Sequence, residues 1–248
     1  MQSNSLKIPS FRDTRAVLFD HDDTLVQTID IKWEEQRYIA KTYYHKDLTD
    51  TELREHWGKP FPEMIGLLYE TSDIEQAIRY NKAVHESFPK RLHNDAIAVL
   101  AYLAEQHLKL GLVTSASRYI LESDLARLKV PENIFKYTQT ADETDYHKPN
   151  PLVFEPALMW LASYNIAPRN VIYIGDSLDD LTAARGAGFQ FIGVTTGITT
   201  KTEFNHRGAL AINCLGELVA LLYDINQYNL QLSQGFKLQG GDSAAQVN

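Results

Sequence analysis

Four short segments carry most of the side chains with obvious chemical capacity. FDHDDTL (19–25) packs Asp20, Asp22 and Asp23 into four positions directly behind the apolar run AVLF. Carboxylates crowded this closely repel one another unless something cationic neutralises them. VTSASR (113–118) sets Thr114, Ser115 and Ser117 behind a second apolar run. Hydroxyls and free N–H groups before a helix suit an anionic oxygen. DYHKPNP (145–151) carries Lys148 in a loop, and YIGDSLDDLTAARGAG (173–188) places Asp176 behind a third apolar run, with Asp179 and Asp180 just beyond.

Each segment alone has an ordinary reading. A D-x-D ends many strands as an Asx-type turn. Ser117 suits the N-cap of a helix starting at Arg118, which leaves Thr114 or Ser115 for an anion. A loop lysine is commonly a solvated charge, and Asp179 or Asp180 complements a helix dipole. Together they form a set of paired carboxylates, a hydroxyl, a lysine and further carboxylates, distributed over the ends of different apolar runs. Magnesium-assisted phosphoryl transfer needs such a set: hard oxygen ligands, a nucleophile, and donors for the phosphoryl oxygens.

The elements that must position these groups alternate along the chain. Strand-like runs at 16–19, 108–113, 171–174 and 189–194 are separated by helical patterns such as 95–106 and 118–128. That alternation predicts a parallel sheet in an α/β fold, with ligands collecting at the carboxyl ends of the strands. Asn150 reads as an N-cap before Pro151, Pro156 predicts a kink or a late helix start, and Gly188 closes the helix that contains Asp180. Residues 26–88 break the alternation with polar, aromatic-rich helical stretches and no convincing strand. They read as an all-helical insertion, giving a core of 1–25 and 89–228 and a Gln-, Gly- and Ser-rich, loosely ordered tail at 229–248.

At 248 residues, 44% of them hydrophobic, the chain can bury one substantial core and a second, smaller domain. The net charge of −8 argues against nucleic acid or an anionic membrane surface as a partner, because phosphate backbones need clustered Lys and Arg. A small anionic substrate stays compatible, since one lysine or a metal reverses the sign of a single pocket. The lone cysteine, Cys214, excludes an internal disulfide framework, and no apolar run reaches the ~20 residues of a membrane span. The expectation is a cytoplasmic protein, monomer or homodimer.

In this order the segments resemble the four motifs of the haloacid dehalogenase-like (HAD) superfamily, in its phosphoglycolate phosphatase-like branch with a helical cap. FDHDDTL resembles the first motif, VTSAS the second, HKPNP the lysine motif and GDSLDD the acidic fourth, while PENIFKYTQTADE (131–143) resembles the third-strand region. The resemblance covers roughly residues 13–225. It implies a Rossmann-like three-layer sandwich with a small cap inserted after the first strand, and a magnesium-dependent phosphatase acting on a small phosphorylated metabolite. By the same resemblance Asp20 is the nucleophile that forms an aspartyl-phosphate, and Asp22 gives and takes the proton. Magnesium is held by the Asp20 carboxylate, the Asp22 backbone carbonyl and Asp176, with Asp180 as ligand or support. Lys148 and one hydroxyl, of Thr114 or Ser115, fix the phosphoryl oxygens. The carboxylates of residues 20, 22 and 176 are thus expected to converge.

Most relatives carry Gly at the position of Asp23. Glycine there suggests left-handed backbone, which Asp tolerates, so Asp23 is assigned to the turn and not to chemistry. Asp22 argues against a dehalogenase, which needs no proton shuttle to an ester oxygen. A sugar-phosphate mutase shares the same core set. A receiver-type signalling domain orders its acids, hydroxyl and lysine differently. Cap residues Arg54, His56, Trp57 and Lys59 are candidates for contacting the leaving group.

Overall fold

The computed structural model describes residues 7, 9–57, 59 and 61–222. Its strands are β1 (Ala16–Phe19), β2 (Val26–Gln27), β3 (Arg91–Leu92), β4 (Lys109–Val113), β5 (Tyr137–Gln139), β6 (Val171–Gly175), β7 (Gln190–Val194) and β8 (Leu210–Ile212). The helices are α1 (Ile29–Tyr44), α2 (Asp50–His56), α3 (Phe61–Tyr69), α4 (Ile74–Val84), α5 (Ala96–Glu105), α6 (Arg118–Arg127), α7 (Glu155–Ser163), α8 (Leu178–Gly186) and α9 (Lys201–His206). Among the described residues no helix is long and apolar enough to cross a membrane.

Near-continuous apolar runs suit strands buried on both faces, and six strands form one parallel sheet in the order β5-β4-β1-β6-β7-β8. The two-residue period of the strand sends successive side chains to opposite faces. Val17 and Phe19 of β1 join Val99, Leu103 and Leu121 of α5 and α6. Ala16 and Leu18 join Ala157, Leu161, Leu181 and Phe204 of α7, α8 and α9. The result is the expected three-layer α/β sandwich.

Local signals hold where they were read. Ser117 accepts from the Ile120 N–H at the start of α6, and the Asn150 side chain accepts from the Leu152 N–H at 3.0 Å. A 3-10 turn over Pro151–Phe154 precedes α7, so Pro156 falls in the first helical turn, where its missing N–H costs no hydrogen bond. Gly188 follows α8 at φ 82°.

Between β2 and β3 the chain forms α1–α4. These helices bury their own apolar cluster, including Trp33, Ile39, Leu53, Ile65 and Leu68. A polar set is sealed among them: Gln36 donates to Asn81 at 3.0 Å, and Asn81 donates to the Tyr69 hydroxyl at 3.1 Å and to the Ala77 carbonyl at 2.9 Å. The insertion does contain strand, unlike the sequence expectation. Two-residue β2 pairs antiparallel with β3, Val26 opposite Leu92, which ties the outgoing and returning chains together. Two residues are too few for periodicity to reveal. The tail at 229–248 lies outside the described residues.

Ile65 is fully buried at the centre of the helical insertion. Ile65→Ala is expected to cost about 2–5 kcal/mol in urea denaturation.

Candidate active site

A parallel sheet delivers every strand's carboxyl end to one edge. Asp20 follows β1, Thr114 and Ser115 follow β4, and Asp176 follows β6. β1 lies between β4 and β6, so the three strand ends are adjacent. Lys148 arrives on the loop before α7, and Asp180 on the first turn of α8. All seven predicted site residues, Asp20, Asp22, Thr114, Ser115, Lys148, Asp176 and Asp180, line one cavity of about 250 Å³, together with Asp23, Ser177 and Asp179.

At its floor the buried Lys148 ammonium donates to Asp20 Oδ1 at 2.6 Å and to the Val113 carbonyl at 3.3 Å, and it pairs with Asp180 Oδ1 at 2.7 Å. One oxygen each from Asp20, Asp176 and Asp180 lies within 4.8 Å of the others. Two unit charges at that spacing repel by about 3 kcal/mol at an effective dielectric near 20. Burial pushes the Asp20 carboxyl up to about 7, with Lys148 pulling it down and Asp180 pushing it up. Burial and the charges of Asp20 and Asp180 push Asp176 up to about 9. Burial opposes the Lys148 charge, but Asp180 and Asp20 outweigh it and hold the ammonium well above its ordinary value. Fully ionised, three carboxylates against one ammonium would leave a negative excess, and the raised carboxyls express that repulsion. Oxygen-only donors that converge with uncompensated charge fit a hard divalent cation.

Asp180 is fixed from several sides. Its Oδ2 accepts from the Ser177 hydroxyl at 2.6 Å while its own N–H donates back to Ser177 Oγ at 3.0 Å, a reciprocal cap on α8. The same carboxylate thus serves the helix end and the acidic cluster. Thr114 is buried, and its Oγ1 accepts from the Ala116 N–H at 3.0 Å, so its own O–H stays available as a donor. Ser115 is exposed at the cavity rim.

The expected convergence of carboxylates 20, 22 and 176 requires a correction. Asp20 and Asp176 do meet, but Asp180 completes the group. Asp22 lines the same cavity and turns its Oδ1 to the Lys90 ammonium at 2.7 Å and to the Thr28 hydroxyl. Burial raises this carboxyl, but the adjoining His21 ring and Lys90 ammonium outweigh burial and hold it below the usual carboxylate range. The resemblance assigned the Asp22 metal contact to its backbone carbonyl, which that turn does not remove.

Asp23 stands at φ 57°, in the left-handed region. Its Oδ1 accepts from the N–H groups of Thr28 at 2.9 Å and Ile29 at 2.7 Å, satisfying the open N-terminus of α1. The third aspartate therefore shapes the turn and caps the first helix of the insertion.

His21 lies inside FDHDDTL but was given no role there, and no motif pointed to Lys90, Asp124 or Gly197. A Cβ on Gly197 would stand 1.8 Å from Asp176 Oδ2, so this position leaves room only for the carboxylate. Of the cap candidates, Trp57 and Lys59 line a second cavity of about 630 Å³ inside the helical insertion, whereas the Arg54 guanidinium lies over the Trp33 ring at 5.1 Å.

A family model described as haloacid dehalogenase-like hydrolase matches residues 17–194. The chain is 27% identical over 219 residues to the phosphorylated carbohydrates phosphatase of Thermotoga maritima, covering 85% of this chain and 99% of that protein. It is 28% identical over 186 residues to pyrophosphatase PpaX of Anoxybacillus flavithermus, covering 72% and 82%. A Thermotoga maritima structure with a provisional beta-phosphoglucomutase name superposes with a TM-score of 0.70 at 24% identity, covering 86% of this chain and all (100%) of that one.

Two outcomes follow from the geometry. Raised carboxyls hold protons in the folded state that the unfolded chain has released, so metal-free stability should fall as pH rises from the ordinary carboxylate range toward about 9. Melting curves in EDTA should show that decline, and magnesium or Asp176→Asn should reduce it. If the acidic cluster takes a divalent cation, Gly197→Ala is expected to weaken that binding about 10- to 100-fold by calorimetry, on the scale of lost ligand support.

Proposed function

Because the chain belongs to the haloacid dehalogenase-like hydrolase family, we propose that it is a magnesium-dependent phosphatase that hydrolyses a small phosphomonoester through an aspartyl-phosphate on Asp20. The observation that carries this reading is the Lys148-anchored Asp20 carboxylate within a converging group of three acids, two at adjacent parallel strand ends and Asp180 on the first turn of α8. The names of the phosphatase and pyrophosphatase relatives support it.

Asp20, Asp176 and Asp180, with the Asp22 carbonyl, would hold the cation. When bound, magnesium supplies positive charge that lets the crowded carboxylates ionise and offsets charge on the phosphoryl oxygens. The Asp20 oxygen attacks phosphorus as the bond to the leaving alcohol breaks. Asp22, held low by His21 and Lys90 before substrate binds, takes up a proton as the negative phosphoryl group enters beside it and delivers that proton to the departing alcohol oxygen. Asp22 then takes a proton from the water that cleaves the aspartyl-phosphate, which regenerates Asp20 and releases phosphate. Lys148 and the Thr114 hydroxyl bind the phosphoryl oxygens. Thr114 is preferred over Ser115 because its oxygen is already oriented by the Ala116 N–H.

Residues 26–88 would act as the cap over a core of 1–25 and 89–228. The cavity bearing Trp57 and Lys59, with Phe61 and Met64 on its walls, offers apolar and cationic contacts to a small leaving group.

Asp20→Asn should lower turnover of p-nitrophenyl phosphate at least about 1,000-fold while circular dichroism shows the fold intact, since the step loses its nucleophile. EDTA should abolish phosphate release. Supplied with a hexose phosphate and a catalytic bisphosphate, the enzyme should release free phosphate; an isomerised sugar phosphate would instead identify a mutase.

A further inference from the structure

Lys90 belongs to no motif and lies 68 positions from Asp22, yet its ammonium stands 2.7 Å from Asp22 Oδ1. It is held there by a second carboxylate, Asp124 Oδ2 on α6, at 3.1 Å. The opposite oxygen of Asp124 accepts from Arg127 Nη2 at 3.1 Å, and Arg127 Nη1 donates to the Lys90 carbonyl at 2.8 Å. The backbone of Lys90 is therefore pinned by α6 while its side chain bridges two acids. Beneath the bridge the fully buried His21 ring lies 3.5 Å from Asp22 and 3.8 Å from Asp124, with no hydrogen bond to any of the described residues. Lys90 also immediately precedes β3, so this bridge stands where the helical insertion returns to the core.

A lysine that only balanced charge would not need this scaffold. Its flexible stem loses rotamer freedom when it is fixed between two acids. Here the fixed end touches the carboxyl that must meet the leaving oxygen, and a displacement of about 1 Å at such a contact costs roughly 100-fold in rate.

We propose that Lys90 is a positioning residue for Asp22: anchored on Asp124, its ammonium sets where the Asp22 carboxyl stands relative to the leaving-group oxygen. The inference rests on the assignment of Asp22 as the proton donor of the phosphatase reading. The step concerned is the one in which Asp20 oxygen bonds to phosphorus, the phosphorus–alkoxide bond breaks, and a proton that Asp22 takes up as the anionic substrate binds passes to the departing oxygen.

The test compares two leaving groups. The ratio kcat/KM covers the steps through alcohol departure, and p-nitrophenolate leaves without a proton whereas an alkoxide does not. Lys90→Met should lower kcat/KM for β-glycerophosphate about 100-fold, the scale of a misplaced group, and should change p-nitrophenyl phosphate hydrolysis little. Lys90→Arg should restore much of the difference, and Asp124→Asn should give an intermediate loss. Equal losses on both substrates, or none on either, would overturn the proposal. If Lys90→Met fails to fold by circular dichroism, the Arg and Asn variants carry the same comparison. If the wild-type enzyme releases phosphate from neither compound, the phosphatase reading fails by itself. Lys90 is then judged by crystal structures of Lys90→Met or, where that variant does not fold, Asp124→Asn: an Asp22 carboxyl displaced from its wild-type place supports the positioning role, and one left in place removes it.

Discussion

The Lys148 ammonium is held between Asp20 and Asp180 at 2.6 and 2.7 Å, away from water and facing a third carboxylate, Asp176. Buried charges persist only when paired, and this one is paired twice. The pairing leaves the group electrically incomplete. Two of its carboxyls are raised, to about 7 and about 9, because burial and mutual repulsion disfavour ionisation. A site that resists holding its own charge is poised for a cation and for the anionic oxygens a cation brings, and the placement of the surrounding elements follows from that constraint.

The sheet order meets it by setting β1 between β4 and β6, so that the acidic ends and the hydroxyl end of the strands adjoin. The glycines meet it by absence of bulk, Gly197 against Asp176 and Gly175 against Asp180. Ser177 meets it by locking Asp180 as the capping residue of α8. The hydrogen bonds that cap the helix also fix one carboxylate of the acidic cluster.

The helical insertion is coupled to this arrangement at its roots. Asp23 turns the chain out of the sheet at positive φ and caps α1, Thr28 reaches back to Asp22, and Lys90 meets Asp22 from the returning segment. Both connections of the insertion thus contact Asp22, two positions from Asp20. The stability of the insertion comes from elsewhere, its own apolar cluster around Leu53, Ile65 and Leu68.

Much of this was legible in the order of residues. Apolar runs ending in acids or hydroxyls disclosed the parallel sheet and its functional edge, because strand burial and loop polarity are local properties. Asp20, Thr114, Lys148, Asp176 and Asp180 could be named because each sits in a short segment with its own turn or cap chemistry. The left-handed turn at Asp23 was readable for the same reason. The orientation of Asp22 was not: its partner Lys90 is an ordinary lysine, and Asp124 an ordinary helical acid, until α6 and the returning segment pack side by side. Nor could a list of residues say which three carboxylates converge, since that depends on strand order and on a few ångströms of side-chain reach. Local chemistry is written in neighbouring residues, whereas distances between remote charges exist only once the chain has closed on itself.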